Sequence, residues 1–600
     1  MARVFGCFSD SQIGDVSRLE AHLRKNGDHF KKIEADKGVI LLSWKDNDFF
    51  KIVDCRDLVF IFDGFDCSIY SSGDVVEDYR KEGDCVFSRL NGQAKAVIVD
   101  AEEKIVKLVS DPFGLNFLYY TRTDESFAFS SEMKLLLLHA PSLRQKINKY
   151  AFAEYVLLHY VLGNKTVFEN IHLLGPASVL KFSLNTFDYE IEEYLSFPSN
   201  YSKVVDYKRT LRKAKDLLVK SVNRRTFECT KLMLSGGLDS RLILASISPP
   251  KRKYLSCINF GNLECDDVRF ARLFAQKFGV RYNFHEISPE MITKNMERYI
   301  WITEGGANHL GSYLLPSLEA ESPTTVLNGY LGDAIFGGSY LDKVDPHDFS
   351  IQNVFRKLAM PERIQKLVFT TEFYNQIHEC FDKSLEMEAE CYSAIQDDAL
   401  KVEYALMNNR GRRYINCGTI VTKHYCPSLK PFFGKDFFDF YIRIPYNHRL
   451  KHKFYFDLIK QEYSEIASIP STTTHFIGRT IERSIIDRLT LKLKSIIKSI
   501  GKTFEGILPV FLFYKKNYKR IHITLEDIWF RENKEYRSVI LNLLSSPRTI
   551  KRGFFNKKGI TRMLKEHDSR KHNHGKYFVT LADFELFNRL FIDGDGFKDL

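Results

Sequence analysis

Six consecutive residues, Ser235-Gly-Gly-Leu-Asp-Ser240, carry the densest chemistry in the chain. They follow an apolar run, Leu232 to Leu234, that reads as a buried strand of a parallel sheet. They precede Arg241 to Ala245, which reads as the opening of a helix. A strand, a glycine turn and a helix N-terminus together make an anion site, because backbone N–H groups converge there and the helix dipole favours negative charge. Gly236 and Gly237 let the backbone come close to a phosphate. Ser235 and Ser240 can donate hydroxyls to its oxygens, and Asp239 can hold a Mg²⁺ that bridges them. The Gly-Lys-Ser/Thr ending of a Walker loop is missing, so this is a phosphate loop of another kind.

The loop resembles the pyrophosphate-binding loop, Ser-Gly-Gly-x-Asp-Ser, of the ATP pyrophosphatases, which cleave ATP to AMP and pyrophosphate. A later stretch, Asn328-Gly-Tyr-Leu-Gly-Asp-Ala-Ile-Phe-Gly-Gly338, resembles the Gly-Glu-Gly-x-Asp-Glu-Leu-Phe-Gly-Gly of the asparagine synthetase family. The resemblance implies ATP and Mg²⁺ as cofactors, with Asp239 and Asp333 as the metal carboxylates. It implies Leu234, Ser235, Gly236, Gly237, Leu238, Asp239 and Ser240 as nucleotide contacts, with Gly329 and Tyr330 facing them. Asn259 and Phe260 end a strand-like run, Tyr254 to Gly261, and the amphipathic Cys265 to Gly279 follows. In the family that strand and helix shape the adenine pocket. Tyr330, Leu331 and Ala334 depart from the pattern. A tyrosine at the first of these is similar to what β-lactam synthetases carry, where it works with a downstream glutamate to deprotonate an attacking amine; Glu362 lies at a comparable distance. Asn409 to Tyr414, Leu429 to Phe433 and His448 to Tyr455 follow in family order. The family has a lysine near the last stretch that stabilises the acyl-adenylate transition state, which makes Lys453 the catalytic candidate beside Tyr330, with Lys451 second.

These residues need a scaffold. From about 205 to 480 the pattern alternates helix and strand, as expected for a parallel α/β sheet with a helical second half. Residues 1 to about 195 alternate short apolar runs with turns: Val39 to Ser43, Leu58 to Gly64, Ala96 to Asp100 and Phe127 to Ser131 read as strands, and Arg18 to Lys25 as a helix. With Asp111-Pro-Phe-Gly114, Ser131-Glu-Met-Lys134 and Thr166 to Pro176, this half resembles the αββα, Ntn-hydrolase-like glutaminase domain of class II amidotransferases. That family's nucleophile is a cysteine exposed after Met removal, with its own amine as base. Here the position is Ala2, Cys7 stands too far along, and the Arg-Gly-Pro-Asp and Asn-Gly-Glu signatures are absent. The expectation is a domain that keeps the fold without hydrolysing glutamine. The Phe197 to Ser202 stretch is a plausible linker.

The remainder, 481 to 600, reads as a basic helical extension. Residues 481 to 520 hold ten Lys/Arg against three acids, and 547 to 576 hold ten against two, which concentrates the net +11 there. That charge suits an acidic partner or a membrane surface; no nucleic-acid motif accompanies it. Leu491 to Tyr514 looks like a basic amphipathic helix ending in an apolar patch too short to span a bilayer. No Cys-x-x-Cys pair occurs among eleven cysteines, which excludes a zinc ribbon, and the N-terminus has no signal-peptide core, so a cytoplasmic enzyme is expected. The expected fold is α/β and multidomain. The expected activity is an ATP-dependent amide ligase: a carboxylate substrate becomes acyl-AMP and passes to ammonia or an amine. Intramolecular cyclisation of the β-lactam synthetase or lasso-peptide type, sugar-acid amidation and a non-catalytic scaffold are the alternatives. A homodimer is compatible with the resemblance.

Overall fold

The computed structural model describes residues 2–11, 14–55, 57–66, 75–123, 126–195, 206–344, 348–472 and 518–598. The Phe197–Ser202 linker and the Leu491–Tyr514 stretch lie outside the described residues.

Two six-stranded antiparallel sheets build the N-terminal half. Side chains alternate faces along a strand, so each strand can serve two layers. In Gly38–Trp44, Ile40 and Leu42 point between the sheets, while Val39 and Leu41 point outward to the helices. In Leu58–Asp66, Val59 and Ile61 point between the sheets, while Leu58, Phe60 and Phe62 point the other way. Helices Ser17–Lys25 and Met133–His139 cover the first sheet, and Val75–Glu82 covers the second. The result is the expected αββα arrangement.

The second half is centred on a five-stranded parallel sheet. Its spatial order is Arg281–Glu286, Ser256–Gly261, Thr230–Met233, Thr325–Leu327, Ser428–Leu429. The order reverses direction beside Thr230–Met233, and such switch points open a crevice at the carboxyl ends of the strands. Helices Glu526–Glu532, Lys534–Ser545 and Gly575–Phe587 close the C-terminal part, the last two packing against Pro289–Thr303. There the fully buried Asp583 accepts from His309 Nδ1 at 2.5 Å. No helix among the described residues is long and apolar enough to cross a membrane.

The two halves share one continuous apolar core, and one helical run joins them. Met407–Ile415 is a π-helix that continues into the α-helix Asn416–Tyr425. From it the buried Arg412 donates to Gly114 O at 3.1 Å, Leu174 O at 2.6 Å and Asn164 Oδ1 at 2.9 Å. Arg413 donates to Gly163 O and Lys165 O, Asn416 to Leu115 O, and Lys423 to Leu115 O and Asn116 Oδ1. All these acceptors belong to loops of the N-terminal half. On the same run, Arg410, Ile415, Gly418, Thr419 and Thr422 line the crevice of the second half. π-Helical turns are rare and often mark functional sites.

Candidate active site

The crevice is a cleft of about 940 Å³, within the range typical of small-molecule sites. Met233 and Leu234 lead into it from the central strand, Ile258, Asn259 and Phe260 from its neighbour, and Asn328 to Leu331 from the strand across the switch point. The phosphate-loop sequence folds as expected, with one shift. The helix opens at Leu238, capped by Gly237, so Asp239 and Ser240 sit in its first turn.

The loop is held from below. Gly236 N donates to Asp267 Oδ1 at 2.9 Å, and Gly236 O accepts from Arg241 Nη2 at 2.9 Å and Thr472 N at 3.0 Å. A Cβ on Gly236 would stand 2.7 Å from Asp267 Cα, so the backbones touch where only glycine fits. Gly236 therefore lies beneath the cleft, while the other predicted loop residues line it. Ser240 Oγ accepts from Ser235 N at 2.9 Å and lies 3.0 Å from Ser235 Oγ, so the two hydroxyls begin paired with each other. Asn259 is also committed to the scaffold. Its Nδ2 donates to Leu234 O at 2.7 Å and Asp267 Oδ2 at 3.1 Å, and its Oδ1 accepts from Tyr282 OH at 3.0 Å.

The two acidic motifs meet. Asp239 accepts the backbone N–H groups of Gly332 and Asp333, and a Cβ on Gly329 would stand 3.1 Å from Asp239 Cβ. Burial and the neighbouring Asp333 carboxylate push the Asp239 carboxyl up from its ordinary range. Tyr455 OH donates to Asp239 Oδ1. A buried carboxylate raised by a second one beside it makes a cation site, because a divalent ion removes the repulsion.

Two predicted residues need correction. Lys453 is exposed, its ammonium 5.5 Å from the Tyr207 ring centre, and it does not line the cleft. Lys451 is exposed too. His452, in left-handed backbone just before the helix Lys453–Glu462, and Tyr455 within that helix line the cleft instead. The cationic side chain in the cleft is Arg410. Glu362 does not meet Tyr330: it is exposed at the start of the helix Glu362–Val368, paired with Lys366 at 2.6 Å and Tyr374 at 2.9 Å. Tyr330 itself does line the cleft, against the Phe433 ring at 4.9 Å and with Lys430 Nζ 5.2 Å from its own ring centre. Its hydroxyl is buried with no hydrogen-bond partner among the described residues, and burial holds the phenol well above its ordinary pKa. A phenol so placed is a donor, not a base. Tyr330→Phe is expected to fold with a melting midpoint no lower than wild type, since an unpaired buried hydroxyl contributes no net stability. A fall of several degrees in a thermal melt would show that the hydroxyl has a partner.

Asp267, Arg241, Tyr455 and Arg410 were missed. Asp267 had a signal in the Cys265-Asp-Asp267 start of a helix beside the loop; the other three had none, because their contacts span the fold.

A model described as asparagine synthase matches residues 213–589, more than half of the chain. The chain belongs to the asparagine synthase family. A model described as a glutamine amidotransferase domain matches residues 68–195. The asparagine synthase match runs past residue 480 into the C-terminal helices. Among curated proteins, a Methanocaldococcus jannaschii protein provisionally named asparagine synthetase 2 is 24% identical over 344 residues, 55% of this chain and 66% of its own. Asparagine synthetase (glutamine-hydrolyzing) 1 of Bacillus subtilis is 25% identical over 270 residues, 43% of this chain and 42% of its own. The chain thus spans less than two thirds of these relatives' length. A solved structure, the glutamine phosphoribosylpyrophosphate amidotransferase from B. subtilis, covers 47% of this chain at 10% identity with a TM-score of 0.20, a likeness too slight to build on.

Proposed function

We propose that this asparagine synthase family member is an ATP-dependent ligase that activates a carboxylate and forms an amide. The observation that carries the reading is the meeting of Asp239, from the Ser235–Ser240 loop, with Asp333 in the lining of a cleft of nucleotide size. In this reading a substrate carboxylate oxygen attacks the α-phosphorus of ATP, and the bond to pyrophosphate breaks. Ammonia or an amine then adds to the acyl carbon, AMP leaves, and the nitrogen gives up a proton. Asp239 and Asp333 would hold Mg²⁺, which supplies charge neutralisation to the departing pyrophosphate. The loop N–H groups and the helix start at Leu238 receive phosphate oxygens, and Ser235 and Ser240 exchange their mutual bond for them. Tyr330 stays protonated and donates towards the acceptor end. The cyclase alternative drew on Tyr330 and the missing N-terminal cysteine; Glu362, one candidate partner for Tyr330, pairs with Lys366 and Tyr374 instead. Calorimetry decides the first step: ATP should bind in Mg²⁺ and bind far more weakly in EDTA. Equal binding in both would remove the metal role of the two aspartates.

The N-terminal half is proposed to have no glutaminase activity. Its cavity against the second half is lined by Ala2, Arg3, Lys95, Asn116 and Ser131 among others, and by no cysteine among the described residues. Cys7 sits on the adjoining strand 3.3 Å from His139 Nε2, but burial pushes its thiol up to about 11, which leaves it un-ionised. Incubation with glutamine should release no glutamate above buffer; steady release would show another nucleophile at work.

A further inference from the structure

The C-terminal helices are preceded by a short strap, residues 518–525, that reaches the cleft through Ile523. Its anchors are specific. Asn262 Nδ2 donates to Lys519 O at 3.1 Å and His522 O at 2.7 Å. Arg520 Nη2 reaches the buried Asp266 at 2.9 Å, and Lys519 pairs with Glu264. All three receiving residues belong to the loop and helix start that follow the Ser256–Gly261 strand. These bonds fix a segment that presents one apolar side chain, Ile523, to the cleft.

Ile523 lines the cleft beside Gly261, at the carboxyl end of the Ser256–Gly261 strand, whereas Asp239 and Asp333 follow the Thr230–Met233 and Thr325–Leu327 strands. Ile258 and Phe260 of the Ser256–Gly261 strand line the cleft too, as do Tyr313 and Leu314. Phe260 and Tyr313 pack ring to ring at 5.3 Å. Gly261 is within contact range of Ile523: a Cβ there would stand 3.7 Å from Ile523 Cγ2. The cleft therefore has a charged end, built by the loop and the two aspartates, and an apolar, aromatic end closed by the strap. That polarity matches a nucleotide, with phosphates at one end and a flat heteroaromatic base at the other.

We propose that Ile523 is a nucleotide-contact residue: its side chain closes the base end of the cleft against the purine ring of ATP, and the strap holds it there. The inference rests on the ATP-dependent reading above and adds to it a pocket wall from the C-terminal region. The test is calorimetry of the full chain in Mg²⁺ with two probes, ATP and inorganic tripolyphosphate, which lacks base and ribose. Ile523→Ala should weaken ATP about tenfold, from lost apolar contact, and leave tripolyphosphate unchanged; Ile523→Leu should restore ATP binding. ATP affinity within twofold of wild type in Ile523→Ala overturns the proposal, as does an equal fractional loss of tripolyphosphate binding. Should the alanine variant not fold, Ile523→Thr, which keeps the branched shape, is read by the same criteria. Failure of the wild-type chain to bind ATP at all would sink the ligase reading first, and this inference with it.

Discussion

Asp239→Asn is expected to bring AMP formation to background, a loss of about 10³-fold or more. The side chain keeps its shape, and its one remaining oxygen can still accept from part of the set of Gly332 N–H, Asp333 N–H and Tyr455 OH. What goes is the negative charge that a divalent ion needs. The same change should leave the ligand-free protein as stable as wild type or more so. The reason is the raised carboxyl: an acid whose folded-state pKa lies above its unfolded value destabilises the fold once both states are ionised, and the cost fades as pH falls. Without Mg²⁺ or nucleotide, the variant's melting midpoint should therefore exceed that of wild type at pH about 8, and the gap should narrow as pH falls to about 5. A gap that widens towards low pH would mean that Asp239 is stabilised as the anion, contrary to its surroundings. Retained AMP release with any accepted acid would remove Asp239 from the metal site.

Arg412→Met should be the most damaging single change to stability. The guanidinium is buried and satisfies two loop carbonyls and the Asn164 side chain at once. Methionine fills similar space but leaves those acceptors without donors, at about 1–3 kcal/mol each before relaxation. A net loss of about 3–5 kcal/mol is expected, read as a melting midpoint lower by several degrees. A midpoint within about one degree of wild type would mean that water takes over the bonds.

The parts of this protein that sequence made legible are those whose cause is local. The Ser235–Ser240 loop was readable because strand, glycine turn and helix start are adjacent in the chain, and the unbroken apolar run Val39 to Leu42 marked a strand. Asp333 was readable because its motif is contiguous. Lys453 was not, because two residues of helical rotation separate a side chain that faces the cleft from one that faces solvent. Tyr455, Arg241 and Arg410 act through partners from far along the chain, and no spacing encodes that. The pairing of Tyr330 with Glu362 failed for the same reason: comparable separation in sequence carries no promise of proximity.

The helical run from Met407 to Tyr425 has two clients. One side grips the turn at Asp111–Asn116 and the loop at Gly163–Lys165, and the other forms a wall of the cleft. A mutation in either loop therefore reaches the wall of the cleft, whatever chemistry the N-terminal half itself performs. Any selection on the cleft would reach into that half through these bonds. An ancestor that stopped using the first domain as an enzyme would still have had to keep it as masonry. For the same reason, cutting the chain between the domains to obtain a smaller ligase would leave Arg412, Arg413 and Lys423 facing water with the carbonyls they hold gone.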